Sequence, residues 1–173
     1  MLANRVRLRI LGDLFEHPDQ TVSAQARRLK LSLPVASRYL RELNARGLLQ
    51  VRRSGTCVHY RPRADESIRG AGMLLEALAQ TFAGEEQPVE TVYRMATAFT
   101  HPRRIAIVRA LDAAGQTPAA LGAKTGLCQR VLSRHLKKLE QRGFVAIHGG
   151  RCERVSPAGP LASALLDLAC RSE

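Results

Sequence analysis

Apolar side chains recur in this chain at three- to four-residue spacing, in short bursts that appear twice in the same order. In the first half Leu8, Leu11, Leu14 and Phe15 form one face of a helix that ends near His17-Pro18. Proline cannot continue a helix, and it restricts the residue before it. Thr21 or Ser23 can cap a short second helix reaching about Leu29, and a tight turn at Lys30-Leu31 follows. Ser32 caps a third helix with Pro34 in its first turn, where a missing N–H does no harm. That helix buries Val35 or Ala36, Leu40 and Leu43, and Gly47 stops it by accepting the left-handed conformation. Residues 48–52 and 56–61 then read as two strands around the turn Arg53-Ser54-Gly55. A further stripe, Ile68, Ala71, Leu75, Leu78 and Phe82, predicts a helix after the hairpin.

The second half repeats the order. A longer first helix is expected over 89–113, with a break or bend near His101-Pro102. Thr117-Pro118 starts the second helix, and the third covers 129–142 with Gly143 as its stop. Residues 144–147 and 151–155 form a hairpin around His148-Gly149-Gly150, and Leu161, Leu165 and Leu168 mark a last helix. Residues 31–49 and 127–145 align at a constant offset of 96. Leu31/Leu127, Val35/Val131, Ser37/Ser133, Arg38/Arg134, Leu40/Leu136, Leu43/Leu139, Arg46/Arg142 and Gly47/Gly143 are identical across it. Three helices and a hairpin make a winged helix. The expected fold is therefore mainly α with small β-hairpin wings: two tandem winged helix-turn-helix units packed as a pseudo-dimer. Repeat one with its post-wing helix takes 1–83, a short linker 84–88, and repeat two with its C-terminal helix 89–173. So short a linker favours packing over free swinging.

Charge sharpens this picture. The net charge of +12 is uneven: residues 1–63 carry 13 Lys/Arg against 4 Asp/Glu, 64–100 carry 2 against 6, and 101–173 carry 12 against 5. The positive charge sits in the two repeats and the join is acidic. A basic surface can be mere solvation, but charge concentrated in helix-turn-helix units is better explained by phosphate binding. The N-terminal arginines Arg5, Arg7 and Arg9 break any apolar signal core, and no stretch approaches the roughly 20 apolar residues of a membrane helix. The expectation is a cytoplasmic protein without membrane contact. The cysteines, Cys57, Cys128, Cys152 and Cys170, are scattered without a C-x-x-C pair and read as reduced thiols.

The segments F99-T-H-P-R-R-I-A-I-V-R-A-L111 and 127–145 resemble the first helix and recognition helix of the ArsR-type winged-helix transcriptional repressors. Residues 2–11 resemble the same first helix, truncated at the chain start, so the likeness extends once per repeat over nearly the whole chain. The resemblance implies a DNA-binding repressor. Family members are generally homodimers paired through their first and last helices. Here the post-wing helices and the first helix of repeat two would supply that interface within one chain, leaving further homodimerisation open.

In a helix-turn-helix unit the N-terminal residues of the third helix face base edges in the major groove. In repeat two these are Gln129, Arg130, Ser133 and Arg134, which can bond guanine and adenine bidentately, with Lys137 placed for phosphate. In repeat one they are Leu33, Pro34, Ser37 and Arg38, followed by Arg41; this poorer set could meet a thymine methyl or track the backbone. Arg52, Arg53, Arg151 and Arg154 are read as wing-tip cations, and Arg27, Arg28 and Lys30 as a basic corner beside the first turn. Each also fits an ordinary solvated face.

Cys128 stands at a helix N-terminus, where the dipole favours thiolate, and is the candidate redox thiol beside the plainer reading of a serine-like cap. Cys57 and Cys152 occupy equivalent wing positions if a one-residue gap is allowed, and Cys57 with His59 is too sparse for zinc. The segments that carry metal ligands in ArsR-type sensors, here 23–30 and 119–126, hold no Cys or His, so neither metal nor cofactor is expected. No nucleophile–base pair, paired carboxylates or phosphate-binding glycine loop points to an enzyme. The leading expectation is a sequence-specific regulator of double-stranded DNA, a repressor with two recognition helices in one chain. The alternative is a winged-helix adaptor that docks on proteins, favoured in repeat one by the Leu33-Pro34 face.

Overall fold

The computed structural model describes residues 2–112, 114–155 and 158–171. The chain forms two compact units, Met1–Tyr93 and Arg94–Glu173.

Unit one opens with α1 (Arg5–Glu16), capped by Asn4, whose side chain accepts from the Arg7 N–H. Leu8, Ile10, Leu11 and Leu14 are fully buried. A two-residue strand β1 (Gln20–Thr21) follows, and the Thr21 hydroxyl accepts from the Ala24 N–H to start α2 (Val22–Arg28). The turn passes through Lys30 at φ 55°, a left-handed residue, and enters α3 (Leu33–Asn44). Ser32 holds the N-cap position as expected but makes no side-chain cap bond. Gly47, at φ 72°, closes a Schellman motif: its N–H donates to the Asn44 carbonyl and that of Leu48 to the Leu43 carbonyl.

The hairpin β2 (Leu49–Ser54) and β3 (Cys57–Pro62) turns at Gly55-Thr56, one residue beyond the expected turn, so Arg53 and Ser54 belong to β2. β1 pairs with the other edge of β3 to give a three-stranded sheet in the order β1-β3-β2. The post-wing helix α4 (Ala71–Gly84) buries Ala71, Leu74, Ala77, Leu78 and Thr81. Of the expected stripe, Leu75 and Phe82 are only half-buried and Ile68 precedes the helix. Phe82 packs against Phe15, ring centroids 5.5 Å apart, where Gly12 of α1 leaves it room. The stretch 84–88 lies within this unit, and the division falls inside α5 (Pro88–Ala96).

The helix expected over 89–113 breaks at His101-Pro102 as expected, and a 3-10 turn before the break makes three elements of it. α5 is followed by a 3-10 turn (Thr97–Phe99) and then α6 (Pro102–Ala110); Ala113 itself lies outside the described residues. The interruption is complete because Pro102 has no N–H and pushes His101 out of the helical region, to φ −128°. The His101 ring then accepts from the Arg103 N–H as an N-cap.

Unit two continues with α7 (Pro118–Thr125), capped by Thr117, and α8 (Gln129–Glu140). Gly143, at φ 79°, repeats the Schellman closure through the Gly143 and Phe144 N–H groups. The hairpin β4 (Val145–His148) and β5 (Arg151–Arg154) turns on Gly149-Gly150, both left-handed. Gln116 and Cys152 exchange both backbone hydrogen bonds, at 2.8 and 2.7 Å, in the place that β1 takes in unit one. α9 (Pro160–Arg171) buries Leu161, Leu165 and Leu166, with Leu168 half-buried. The core gathers Ile107, Val108, Leu121, Leu132, Leu136, Leu139 and Phe144, with Phe99 edge-on to Phe144 at 4.7 Å.

A Cβ at Gly47 would stand 2.9 Å from Ile68 and 3.2 Å from Ala71 in a conformation side chains resist. Gly47→Ala is expected to destabilise unit one by more than the roughly 1–2 kcal/mol of a left-handed alanine alone. Urea unfolding of the full chain measures it.

Candidate nucleic-acid interface

The rotation of α8 is set by what it buries. Leu132, His135, Leu136 and Leu139 face the core, so the helical period turns Gln129, Arg130, Ser133, Arg134 and Lys137 outward together. All five expected contacts of repeat two are exposed and lie on one stripe. Among the described residues no carboxylate comes within ion-pair distance of Arg130, Arg134 or Lys137. Cys128 is exposed at the N-cap position and makes no side-chain cap bond.

α3 presents the equivalent stripe: Leu33, Pro34, Arg38 and Arg41 are exposed and Ser37 is half-buried. The Arg38 guanidinium lies over the Tyr39 ring, 4.6 Å from its centroid, and 3.9 Å from the Glu42 carboxylate. Glu42 also pairs with Arg7. At the basic corner Arg27 and Lys30 are exposed. Arg28 is not a free cation, because its Nε lies 3.1 Å from the buried carboxylate of Asp13. Gln25, fully buried, donates from Nε2 to the same carboxylate at 3.3 Å and to the Ile10 carbonyl at 2.8 Å, so Arg28 closes a polar cluster under α2.

The wing residues separate. Arg53 is exposed in β2, one pair from the turn. Arg52 is tied to Asp19 at 2.6 Å, and this hydrogen bond holds the Asp19 carboxyl below its ordinary range. Arg151 closes the second hairpin but donates to the Gly115 carbonyl at 2.7 Å. Arg154 is not at a tip. It pairs with Val145 at the hairpin base, with Nη1 3.5 Å from the Cys170 sulfur. His148, exposed beside Gly149-Gly150, occupies the tip instead; its place next to the glycine pair was the signal for it.

Cys57 and Cys152 are not equivalent. Cys57 follows the turn of its hairpin and is exposed, whereas Cys152 is the second residue of β5 and fully buried, and burial pushes its thiol up.

Two arginines that sequence reasoning left aside organise the approach to α8. Arg104 donates to the carbonyls of Ala98 and Thr97 and to the Thr100 hydroxyl, and Arg142 donates to the Thr97 hydroxyl at 2.9 Å. They tie the 3-10 turn to the end of α8. His135 is buried against the His101 ring, centroids 4.6 Å apart. Burial, and after it the neighbouring His101, Arg104, Arg134 and Arg103, hold it below its ordinary 6.5.

Residues 99–148, which span α6, α7, α8 and β4, match the family model of a helix-turn-helix domain. No curated protein matches the chain, and no solved structure does. The matched segment is the one whose geometry has just been described, so this part of the chain is a helix-turn-helix domain. Among the described residues no helix is long and apolar enough to cross a membrane.

His135 yields a pH prediction. Well above 6.5 the imidazole is neutral whether folded or unfolded and contributes no pH dependence. As pH falls through 6.5 towards the lower folded value, the unfolded chain takes the proton first, so stability drops. Urea midpoints of the full chain between about pH 7.5 and 5.5 are expected to fall, and His135→Gln to flatten the fall.

Proposed function

We propose that this protein is a sequence-specific regulator of double-stranded DNA, a repressor of the ArsR-type winged-helix kind, in which both units read DNA from one chain. The observation that carries the reading is the exposed stripe Gln129, Arg130, Ser133, Arg134 and Lys137 on α8. It combines groups suited to bidentate base reading with cations that no carboxylate among the described residues neutralises. The helix-turn-helix match over 99–148 supports it. In this reading the protein acts by binding, without a catalytic centre, metal or cofactor. The adaptor reading keeps one specific support, Leu33, which is 53% exposed at the start of α3.

Selection of bound sequences from a random duplex pool tests the main reading, and recovery of no enriched motif would favour the adaptor. With a motif in hand, Arg134→Ala is expected to cost about 1–3 kcal/mol and to relax base preference at one position of one half-site. Titration of wild type and variant against single-position mismatches measures this.

Two heads in one chain also set a stoichiometry. Recognition helices entering successive major grooves sit roughly 34–36 Å apart. If α3 and α8 fill those places as an intramolecular pseudo-dimer, one chain covers one operator of two unequal half-sites. Native mass measurement of the complex is expected to give one chain per duplex; two chains as the minimal stable complex would refute the pseudo-dimer.

A further inference from the structure

Unit one carries an open cleft of about 430 Å³ between the start of α2, the start of α3 and the turn of its hairpin. Its apolar walls are Val22, Leu33, Pro34 and Val58, with Ser37 and Cys57 among the polar groups. It therefore opens on the face where a helix-turn-helix unit meets the major groove. Leu33 and Pro34 stand 96 positions before Gln129 and Arg130, so unit one has apolar walls where unit two has hydrogen-bonding groups. Positive charge lies beside the cleft. Arg53 is exposed and pairs across the hairpin with Val58, which puts their side chains on one face, and Arg38, exposed on the α3 stripe, shares the single carboxylate of Glu42 with Arg7. An apolar recess bordered by cations suits an apolar group carried on a polyanion. The apolar group that a base pair offers in the major groove is the thymine C5-methyl.

Building on the DNA-reading function proposed above, we infer that the cleft of unit one is a thymine-methyl site and that Leu33 is a specificity-determining residue of that half-site. Unit one selects A·T pairs by burying a methyl group, while unit two selects bases by directional hydrogen bonds. The hydroxyl of Ser37 stays available to a neighbouring phosphate or base edge.

Deoxyuridine provides the test, because it removes the methyl and keeps the base pairing. The full chain is first given the duplex recovered by random-pool selection, and each thymine is then replaced in turn by deoxyuridine. One or two positions, confined to one half-site, are expected to lose affinity by roughly fourfold, the value of one buried methyl. In Leu33→Ala, whose side chain is exposed in the folded chain, the same replacements are expected to change affinity by less than about twofold. Alkylation of Cys57 by iodoacetamide, followed on its own peptide, is expected to slow when the duplex is bound. The inference is overturned if no thymine position responds, if the response is the same in Leu33→Ala, or if Cys57 stays equally reactive on bound DNA. A selection that enriches no duplex at all overturns the DNA-reading function itself, and the methyl site falls with it.

Discussion

The structure turns on how one helix divides itself. α8 buries Leu132, Leu136 and Leu139 on one side, and this fixes its rotation to within a fraction of a turn. Every exposed contact on its other side follows from that. The same division recurs in α3 with Ala36, Leu40 and Leu43 inside. Each helix is then ended by a glycine whose left-handed conformation lets two N–H groups turn back onto the last carbonyls. The chain leaves at a defined angle into the hairpin, so the wing is positioned by the same closure that stops the helix.

Formal charge gives a misleading comparison of the two units. By count the first 63 residues are the more basic, yet several of their arginines are engaged internally: Arg28 with Asp13, Arg52 with Asp19, and Arg7 and Arg38 with Glu42. Among the described residues the cations on the α8 stripe have no such partners. Ion pairs at a surface contribute little to stability, but they do remove net charge from the place where a polyanion would dock. In the proposed function the presenting surface, and not the composition, would set how strongly each unit holds DNA.

Much of this was legible in the sequence for physical reasons. Helix periods, proline at first turns and glycine at last turns are local signals, and they placed α1, α2, α3, α7 and α8 and all five residues of the α8 stripe. What failed was non-local. β1 is two residues long and exists because β3 offers it an edge, so no periodicity announces it. The length of the helix before α6 was overestimated because the apolar residues around Phe99 keep helical spacing through a 3-10 turn that Arg104 and Arg142 hold. Arg28, Arg52 and Arg154 were read as surface cations, and only folding brings Asp13, Asp19 and Cys170 to them. The hairpin turn slipped by one residue because Gly55 takes the first of the two turn positions and so extends β2 through Ser54.

The corner between α2 and α3, and its counterpart between α7 and α8, carries a consequence of its own. Unit two crosses this corner on Gly126, at φ 66°, which costs glycine little. Unit one crosses it on Lys30, at φ 55°, with a side chain that resists this conformation by roughly 1–2 kcal/mol. A domain is stable by only about 5–15 kcal/mol, so this is a material sacrifice. What it gains is an ammonium group exposed at the corner between α2 and α3. A search for heat-resistant variants that looked only at folding would replace this lysine with glycine early, and would remove an exposed charge that the proposed DNA-reading function uses.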